Sequence, residues 1–498
     1  MNRDLFFKIF LLFLFISNFK MGSAQYFGSF AMKYKPQYDP DFKPAFLELQ
    51  KFYHDVSQSP DKTELIICLE RTKGYNYHYK TLIYKDGTGH DEENYYAVER
   101  ICKILLWVVG GYKFYIAGSD ILPARLREDY QKNGKRKFDY FFFKDVYENY
   151  VEIVACKKEE IPELKLEDIP VSSFLNGNRI GFDAGGSDRK VSAVIDGEVK
   201  YSKETVWNPK TYSDPNYHID GIMDSFNQAC EHLPTVDGVG ISTAGVVVDN
   251  KIMVAALFGK VSKDDYEKKI KTIYLDCVKK LEEKYNKKIP VVVANDGDVT
   301  ALAGLMELNK KEGILGIAMG TSQAGGYITK DSKLTGWLNE LAYVPIDFNE
   351  NAMKDMWSQD IGIGEKYFSQ EAVIKLAIKA GVKFEEDLTP ANKLKQVQNM
   401  IESENEKDRK IAENIFSDMG IYLGYTIPFY CHFYDFQHLL VLGRVVSGKG
   451  GNIFVEKAKE VLQNEFPEIA KKVQIHIPDE KSRRVGQSVA AAGLPEVK

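Results

Sequence analysis

The sequence predicts an α/β protein in which two similar domains, each built on a mixed sheet, enclose a cleft, with a smaller α/β unit in front of them. Three observations predict it. The chain has 498 residues, more than one ordinary core accommodates. Apolar runs of strand length alternate with stretches of helical periodicity. A strand–glycine turn–strand unit occurs twice, at "RIGFDAGGSDRKVSAVIDGEV" from Arg179 and at "GILGIAMGTSQAGGYI" from Gly313.

The elements follow in order. Residues 32–156 read as the N-terminal α/β unit. In it "ELIICLE" and "YNYHYKTLIY" are paired strands, "ENYYAVERICKILLWVVGG" is a helix closed by two glycines, and "YKFYIAG" is a further strand. Its many tyrosines and phenylalanines read as core or packing surface. Residues 157–175 are charged, carry two prolines and read as a linker. Residues 176–300 form the first domain, with strands at Arg179–Phe182 and Val191–Ile195 and a helix whose apolar face is Ile219, Ile222, Phe226, Ala229 and Leu233. "VDGVGISTAG" is a strand running into a small-residue loop, and "IPVVVANDGDVTALAG" is strand, polar loop and helix. Residues 301–498 form the second domain. It holds the second glycine turn, a mostly helical region from about Ala352 to Tyr434, and a strand and glycine turn at "HLLVLGRVVSGKGG".

Composition narrows the function. Hydrophobic residues make up 44% and charged residues 28% of the chain, the profile of a globular protein. A net charge of -5 with both signs interspersed argues against a nucleic-acid binder. The six cysteines lack ligand or disulfide spacing, so neither a zinc site nor a disulfide framework is expected. Residues 1–31 conflict with this picture. Arg3, the apolar run Ile9–Ile16 and the small residues Gly22, Ser23 and Ala24 resemble a secretory leader, although the run is far short of the roughly 20 residues that span a bilayer. The alternative is a mis-assigned start, with translation beginning at Met21 or Met32. The free cysteines and the chemistry below favour that alternative and a cytoplasmic location.

The glycine turns are where chemistry is expected. Without side chains, backbone N–H groups can converge on a phosphate. Gly185, Gly186 and Ser187 would do so in the first turn, and Gly320, Thr321, Ser322, Gly325 and Gly326 in the second. Asp183 could hold Mg²⁺ through water, and Lys190 could meet a phosphate. The plain structural reading of each turn is a tight hairpin. "ANDGD" is sharper. Asp296 follows an apolar strand and precedes a helix, where a carboxylate can take the proton of an attacking hydroxyl, with Asn295 orienting the same substrate. Asp298 reads as the cap of the following helix.

In this order the motifs resemble the sugar kinases of the actin-like ATPase superfamily, and most closely the ROK family (repressors, uncharacterised reading frames and kinases), from about Arg179 to Pro495. The resemblance implies duplicated ribonuclease H-like domains with the nucleotide in the cleft. "DAGGSDRK" matches the first phosphate motif, with serine in place of threonine, and "NDGD" matches "NDAN", which makes Asp296 the catalytic base. "GTSQAGG" matches the second phosphate motif, with Ser322 and Ala324 replacing glycines. "GRVVSGKGG" matches the adenosine motif and puts Gly443, Ser447 and Gly448 by the nucleotide. "NELAY" matches the substrate motif "GEIGH": Glu340 keeps the acid, and Tyr343 stands where the family has a histidine. "ISTAG", with Thr243, stands where many members have a proline–glycine loop, and the family's cysteine-rich zinc motif is absent.

The expected function is therefore ATP- and Mg²⁺-dependent phosphorylation of a sugar hydroxyl. The expected partners are a small-molecule sugar and a second copy of the chain, with no nucleic acid and no membrane for the mature protein. A sensor of sugars or nucleotides with weak turnover, and an ATPase acting on a protein partner, are the alternatives.

Overall fold

The computed structural model describes residues 30–171, 175–308, 312–477 and 480–497, the last span without side chains for 480–485. The leader-like residues up to 29 lie outside it. The N-terminal unit runs α1 (Ala45–Gln58), β1 (Lys62–Glu70), β2 (Asn76–Tyr84), α2 (Asp91–Val108), β3 (Lys113–Ala117), α3 (Leu122–Asp129), α4 (Lys137–Tyr147) and β4 (Glu152–Ala155). Its sheet has the order β2-β1-β3-β4, antiparallel except for β3 and β4. Helix α2 stops at Gly110, whose φ of 82° is left-handed. The last carbonyls of a helix have no partner within it. Here those of Trp107, Val108 and Val109 accept from the N–H groups of Glu340, Asn339 and Leu338. The segment carrying Glu340 thus caps a helix of the N-terminal unit.

Part of the span read as a linker is structured: β5 (Ile169–Pro170) adds an edge to the sheet of the second lobe. The first lobe follows as β6 (Asn178–Ala184), β7 (Asp188–Ile195), β8 (Glu198–Val206), α5 (Pro215–Cys230), β9 (Gly238–Thr243), β10 (Val246–Val248), β11 (Lys251–Val254), α6 (Ile273–Tyr285) and β12 (Val291–Asn295). Its five strands lie in the order β12-β9-β6-β7-β8. β6, β7 and β8 form an antiparallel meander, and β9 and β12 run parallel to β6. Asp249 and Asn250 join β10 to β11 with φ of 52° and 63°, the double left-handed turn that suits a two-residue hairpin.

The second lobe comprises α7 (Asp296–Leu308), β13 (Ile314–Met319), β14 (Gln323–Ile328), β15 (Lys333–Leu334), α8 (Gln370–Lys379), α9 (Pro390–Met400), α10 (Glu406–Tyr430), β16 (His438–Leu442), α11 (Lys449–Glu465), α12 (Pro467–Lys472), β17 (Gln474–His476) and α13 (Glu480–Ala492). Its strand order, β17-β16-β13-β14-β15-β5, repeats that of the first lobe with β5 added. Again three strands form an antiparallel meander, with two more parallel to the first of them. This duplicated ribonuclease H-like topology is the actin-like ATPase architecture.

Three expectations need correction. The helical region expected from Ala352 begins only at Gln370, because the preceding segment is tied into loops: buried Asp355 accepts from Ser358 N–H and pairs with Lys366 at 3.0 Å. The boundary expected after residue 300 falls inside α7, and α13 returns to the first lobe. Gly181 and Gly240 face each other in register across β6 and β9, and a Cβ on either would overlap a carbonyl oxygen of α13. Arg179 ties the end of that helix by donating to the carbonyls of Ala492 and Pro495 at 3.0 and 2.8 Å.

The apolar cores divide unevenly. One surrounds the sheet of the first lobe, with Phe182, Phe226, Ile241 and Tyr274. Another is continuous from the N-terminal unit (Leu65, Ile101, Phe114) into the second lobe (Leu315, Phe368, Tyr422). None of the six cysteines is in a disulfide. Among the described residues no helix is long and apolar enough to cross a membrane.

Candidate active site

Strands β6, β9 and β12 are parallel and end together, with Ala184, Thr243 and Asn295 in register. The mouth beyond such carboxyl ends is where open α/β sheets bind ligands. Asp296 is the first residue of α7, directly after β12, so there is no polar loop between strand and helix. Burial, followed by the charge of Asp183, pushes its carboxyl up to about 7. Asp183, itself buried, accepts from the Ser242 hydroxyl at 2.7 Å and lies 3.6 Å from Lys190. Its carboxyl is also raised, first by burial. Glu340 is pushed up to about 7 by burial and by the charges of Asp296 and Asp298. The structure therefore gathers Asp183, Asp296, Asp298 and Glu340 into one field, with Lys190 beside it.

Asp298 is not the cap expected of it: it stands inside the first turn of α7, and its Oδ1 accepts from the Tyr327 N–H of β14 at 3.1 Å and from the Asn339 amide at 2.9 Å, clasping β14 and the Asn339 segment to the helix. Glycines make that clasp close. A Cβ on Gly297 would overlap the Gly325 carbonyl oxygen, and one on Gly326 would overlap that of Gly297. A Cβ on Gly325 would lie 2.6 Å from the Asn339 carbonyl oxygen. Gly325 stands inside β14 opposite Ile317 rather than in the turn. Its place is to let the segments of Asp296 and Glu340 converge.

The two turns differ in detail. In the first, Gly185 N–H donates to Asp188 O at 3.0 Å, and the Trp207 indole donates to Gly185 O at 2.8 Å. The Ser187 hydroxyl donates to Asp188, whose other oxygen holds Lys190 at 2.6 Å. Lys210 is a residue that sequence reasoning missed. A Cβ built on Gly186 would be 3.4 Å from its ammonium nitrogen, so Lys210 lies over the turn. It belongs to a short turn after Pro209, and no pattern marks it. Asp188 was missed likewise. In the second turn, Gly320 N–H donates to Ser322 O at 2.9 Å, and its carbonyl accepts from Gln370 at the start of α8. Thr321 and Ser322 are exposed at its tip. Strand β16 runs parallel to β13 and is followed by Gly443, φ 105°, packed so closely on Met319 that a Cβ would overlap its carbonyl oxygen. Ser447 donates to Arg444 O at 2.8 Å, and Gly448, φ 72°, precedes α11. The residues of the adenosine motif thus lie beside the second turn.

Two expected substrate residues are engaged within the protein. Thr243 is buried and bonds the Tyr274 hydroxyl at 3.0 Å. Asn295 donates to Gly245 O at 2.9 Å and accepts from Gly297 N–H at 2.8 Å, so it fixes the loop around Asp296. Tyr343 packs against Trp107 of α2, with ring centroids 4.3 Å apart, and lies near Phe138 and Trp357. Lys103 of α2 bridges Asp139 of α4 and Asp360 of the second lobe at 3.1 and 2.6 Å. The N-terminal unit thus supplies a wall behind Tyr343, which sequence reasoning did not foresee.

Among the described residues no group of three or more histidine, cysteine or acidic side chains is arranged to hold a metal ion. A magnesium ion arriving with a nucleotide needs less from the protein, one or two carboxylates and its own waters. The excess of carboxylate over ammonium around Asp183 fits that demand.

No protein-family model matches this chain, and no curated protein matches its sequence. Solved structures do resemble it. A ROK hexokinase from Thermus thermophilus is 15% identical, with 64% of this chain and 97% of that one covered and a TM-score of 0.48. A ROK-family transcriptional regulator, a homologue of the Escherichia coli MLC protein, is 14% identical, covering 64% of this chain and 79% of its own, TM-score 0.47. A ROK-family glucokinase from Streptomyces griseus, in complex with glucose and AMPPNP, is 19% identical, covering 64% and 99%, TM-score 0.44. ROK-family sugar kinases and a ROK-family regulator are thus the proteins this chain is similar to, and the similarity is one of fold.

Proposed function

We propose that the protein transfers the γ-phosphoryl group of ATP to a hydroxyl of a small sugar, with Asp296 as general base. The observation that carries this reading is the carboxyl of Asp296, set at the carboxyl end of β12 and held at about 7 by burial and by Asp183. A base with that pKa is half ionised near neutral pH and still strong enough to take a proton. Asp296 would receive the proton of the attacking hydroxyl as its oxygen bonds phosphorus and the bond to ADP breaks. Glu340 and Tyr343 would orient the acceptor, and Asn295 would keep the Asp296 loop in place. Gly186, Ser187 and Lys210 at the first turn, and Gly320, Thr321 and Ser322 at the second, would meet phosphate oxygens. Lys190 would turn from Asp188 toward the phosphate. Gly443, Ser447 and Gly448 would border the adenosine. Asp183 would hold Mg²⁺ through water. When bound with ATP, that ion supplies neutralisation of charge on the phosphate oxygens. Use of ATP implies a cytoplasmic location.

ADP release on mixing the full chain with ATP, Mg²⁺ and single sugars tests this. Release that depends on one sugar is expected, and Asp296→Asn should lower it by about 10²- to 10⁴-fold with nucleotide affinity nearly unchanged. Activity of the variant within about threefold of wild type, far less than that cost, would remove Asp296 from its role. Hydrolysis indifferent to every sugar would remove the kinase reading.

A further inference from the structure

A cavity of about 250 Å³ lies where the three units meet. Its walls come from the N-terminal unit at Arg71–Lys73, from the β10–β11 hairpin and edge strand β12 of the first lobe, and from the second-lobe segment 334–338. Asn295 and Asp298 also line it, whereas Asp296, Glu340 and Tyr343 do not. It therefore adjoins the Asp296 loop without including the groups proposed to hold the acceptor.

We propose that this cavity is a second carbohydrate site, which takes one neutral, monosaccharide-sized polyol. Arg71 is the first reason. It is 4% exposed and donates to Thr335 O, Glu167 and Gly336 O, so it fixes the wall of the N-terminal unit against the second-lobe segment and holds the cavity's shape. Charge is the second reason. Arg71 is paired with Glu167 at 3.0 Å and Lys73 with Asp249 at 2.5 Å, which leaves no lining cation free for an anion, and burial holds the remaining lining carboxyl, Asp298, up at about 7, where it still carries a proton half the time. The third is the mixture of groups. Asn250 uses its carbonyl oxygen to hold Val293 N–H at 2.8 Å, which leaves its amide donors for a ligand, and Asp298 uses Oδ1 internally, which leaves Oδ2. A sugar hydroxyl both donates and accepts, so it suits such a set. Trp337 supplies an apolar face, set by ring contacts to Tyr77 and Tyr434 at 5.3 and 5.8 Å. Because the walls come from three units, an occupant favours the arrangement in which they meet.

The test is calorimetric titration of the full chain, without nucleotide, with glucose, mannose and N-acetylmannosamine. At least one of these should bind in a mode that Glu340→Gln leaves within about twofold. That mode should weaken at least tenfold on Val248→Trp, which fills the cavity, and on Asn250→Asp, which keeps the oxygen bonded to Val293 and removes the donor. Should Val248→Trp melt early, Asn250→Asp alone decides. Binding of none of the three sugars would overturn the proposal. So would binding that Glu340→Gln abolishes, or that neither cavity variant alters. The kinase reading is judged separately, by ADP release.

Discussion

The two lobes repeat one topology and differ in what their cores are shared with. The first lobe closes its own core around Phe182, Phe226 and Ile241. The second shares its core with the N-terminal unit, and its Glu340 segment caps α2. The glycine turns differ in the same sense. The first is an open hairpin under an exposed lysine, whereas the second leads into a strand pressed against α7 by Gly297, Gly325 and Gly326. A duplicated fold need not have duplicated supports: in this protein the second lobe is braced by an added unit and the first is not.

Core truncation gives the sharpest break in that comparison. Trp107→Ala and Phe226→Ala should each cost about 3–5 kcal/mol in denaturant unfolding. Only Trp107→Ala should also raise the KM for the acceptor sugar, because Tyr343 loses its platform. Equal KM values for the two variants would separate the N-terminal unit from the acceptor site. Next in size is the contrast between glycines. Gly326→Ala forces a Cβ into the Gly297 carbonyl and should destabilise by about 1–3 kcal/mol, as overpacking does. Gly186→Ala meets only the end of Lys210 at 3.4 Å and should melt with wild type.

The pH dependence comes third. Asp296, Asp298 and Glu340 are held at about 7, whereas unfolded carboxyls titrate near about 4. Between those values the folded state binds more protons than the unfolded chain, so stability falls as pH rises from about 4 to about 7 and levels off above. Asp296→Asn removes one such carboxyl. It should melt above wild type at pH 8 and with it at pH 4, whereas a variant less stable than wild type at pH 8 would contradict the repulsion. The smallest effect belongs to Lys210→Ala, which should raise the KM for ATP by about three- to fivefold, the size of an exposed charge contact. An unchanged KM would remove Lys210 from the first turn.

How much of this was legible follows from how local each feature is. Strands β1, β2, β6, β7, β13 and β16 follow from short apolar runs, and helices α2 and α5 from their periodicity. The place of Asp296 between strand and helix needs only its neighbours in sequence. Lys210 over Gly186, Asp298 clasping β14, Trp107 behind Tyr343 and the cavity at Arg71 join residues far apart in the chain, and no spacing encodes them.

The sequence by itself determined the order of strands, helices and glycine turns, because hydrophobic periodicity and glycine act within a few residues. Tertiary structure alone decided that the N-terminal unit and the second lobe share one core, that α13 returns to the first lobe through Gly181 and Gly240, and that the carboxyls of Asp183, Asp296, Asp298 and Glu340 share one field. The physical reason is that burial and charge repulsion depend on distance in space, which the chain sets only once its sheets have packed.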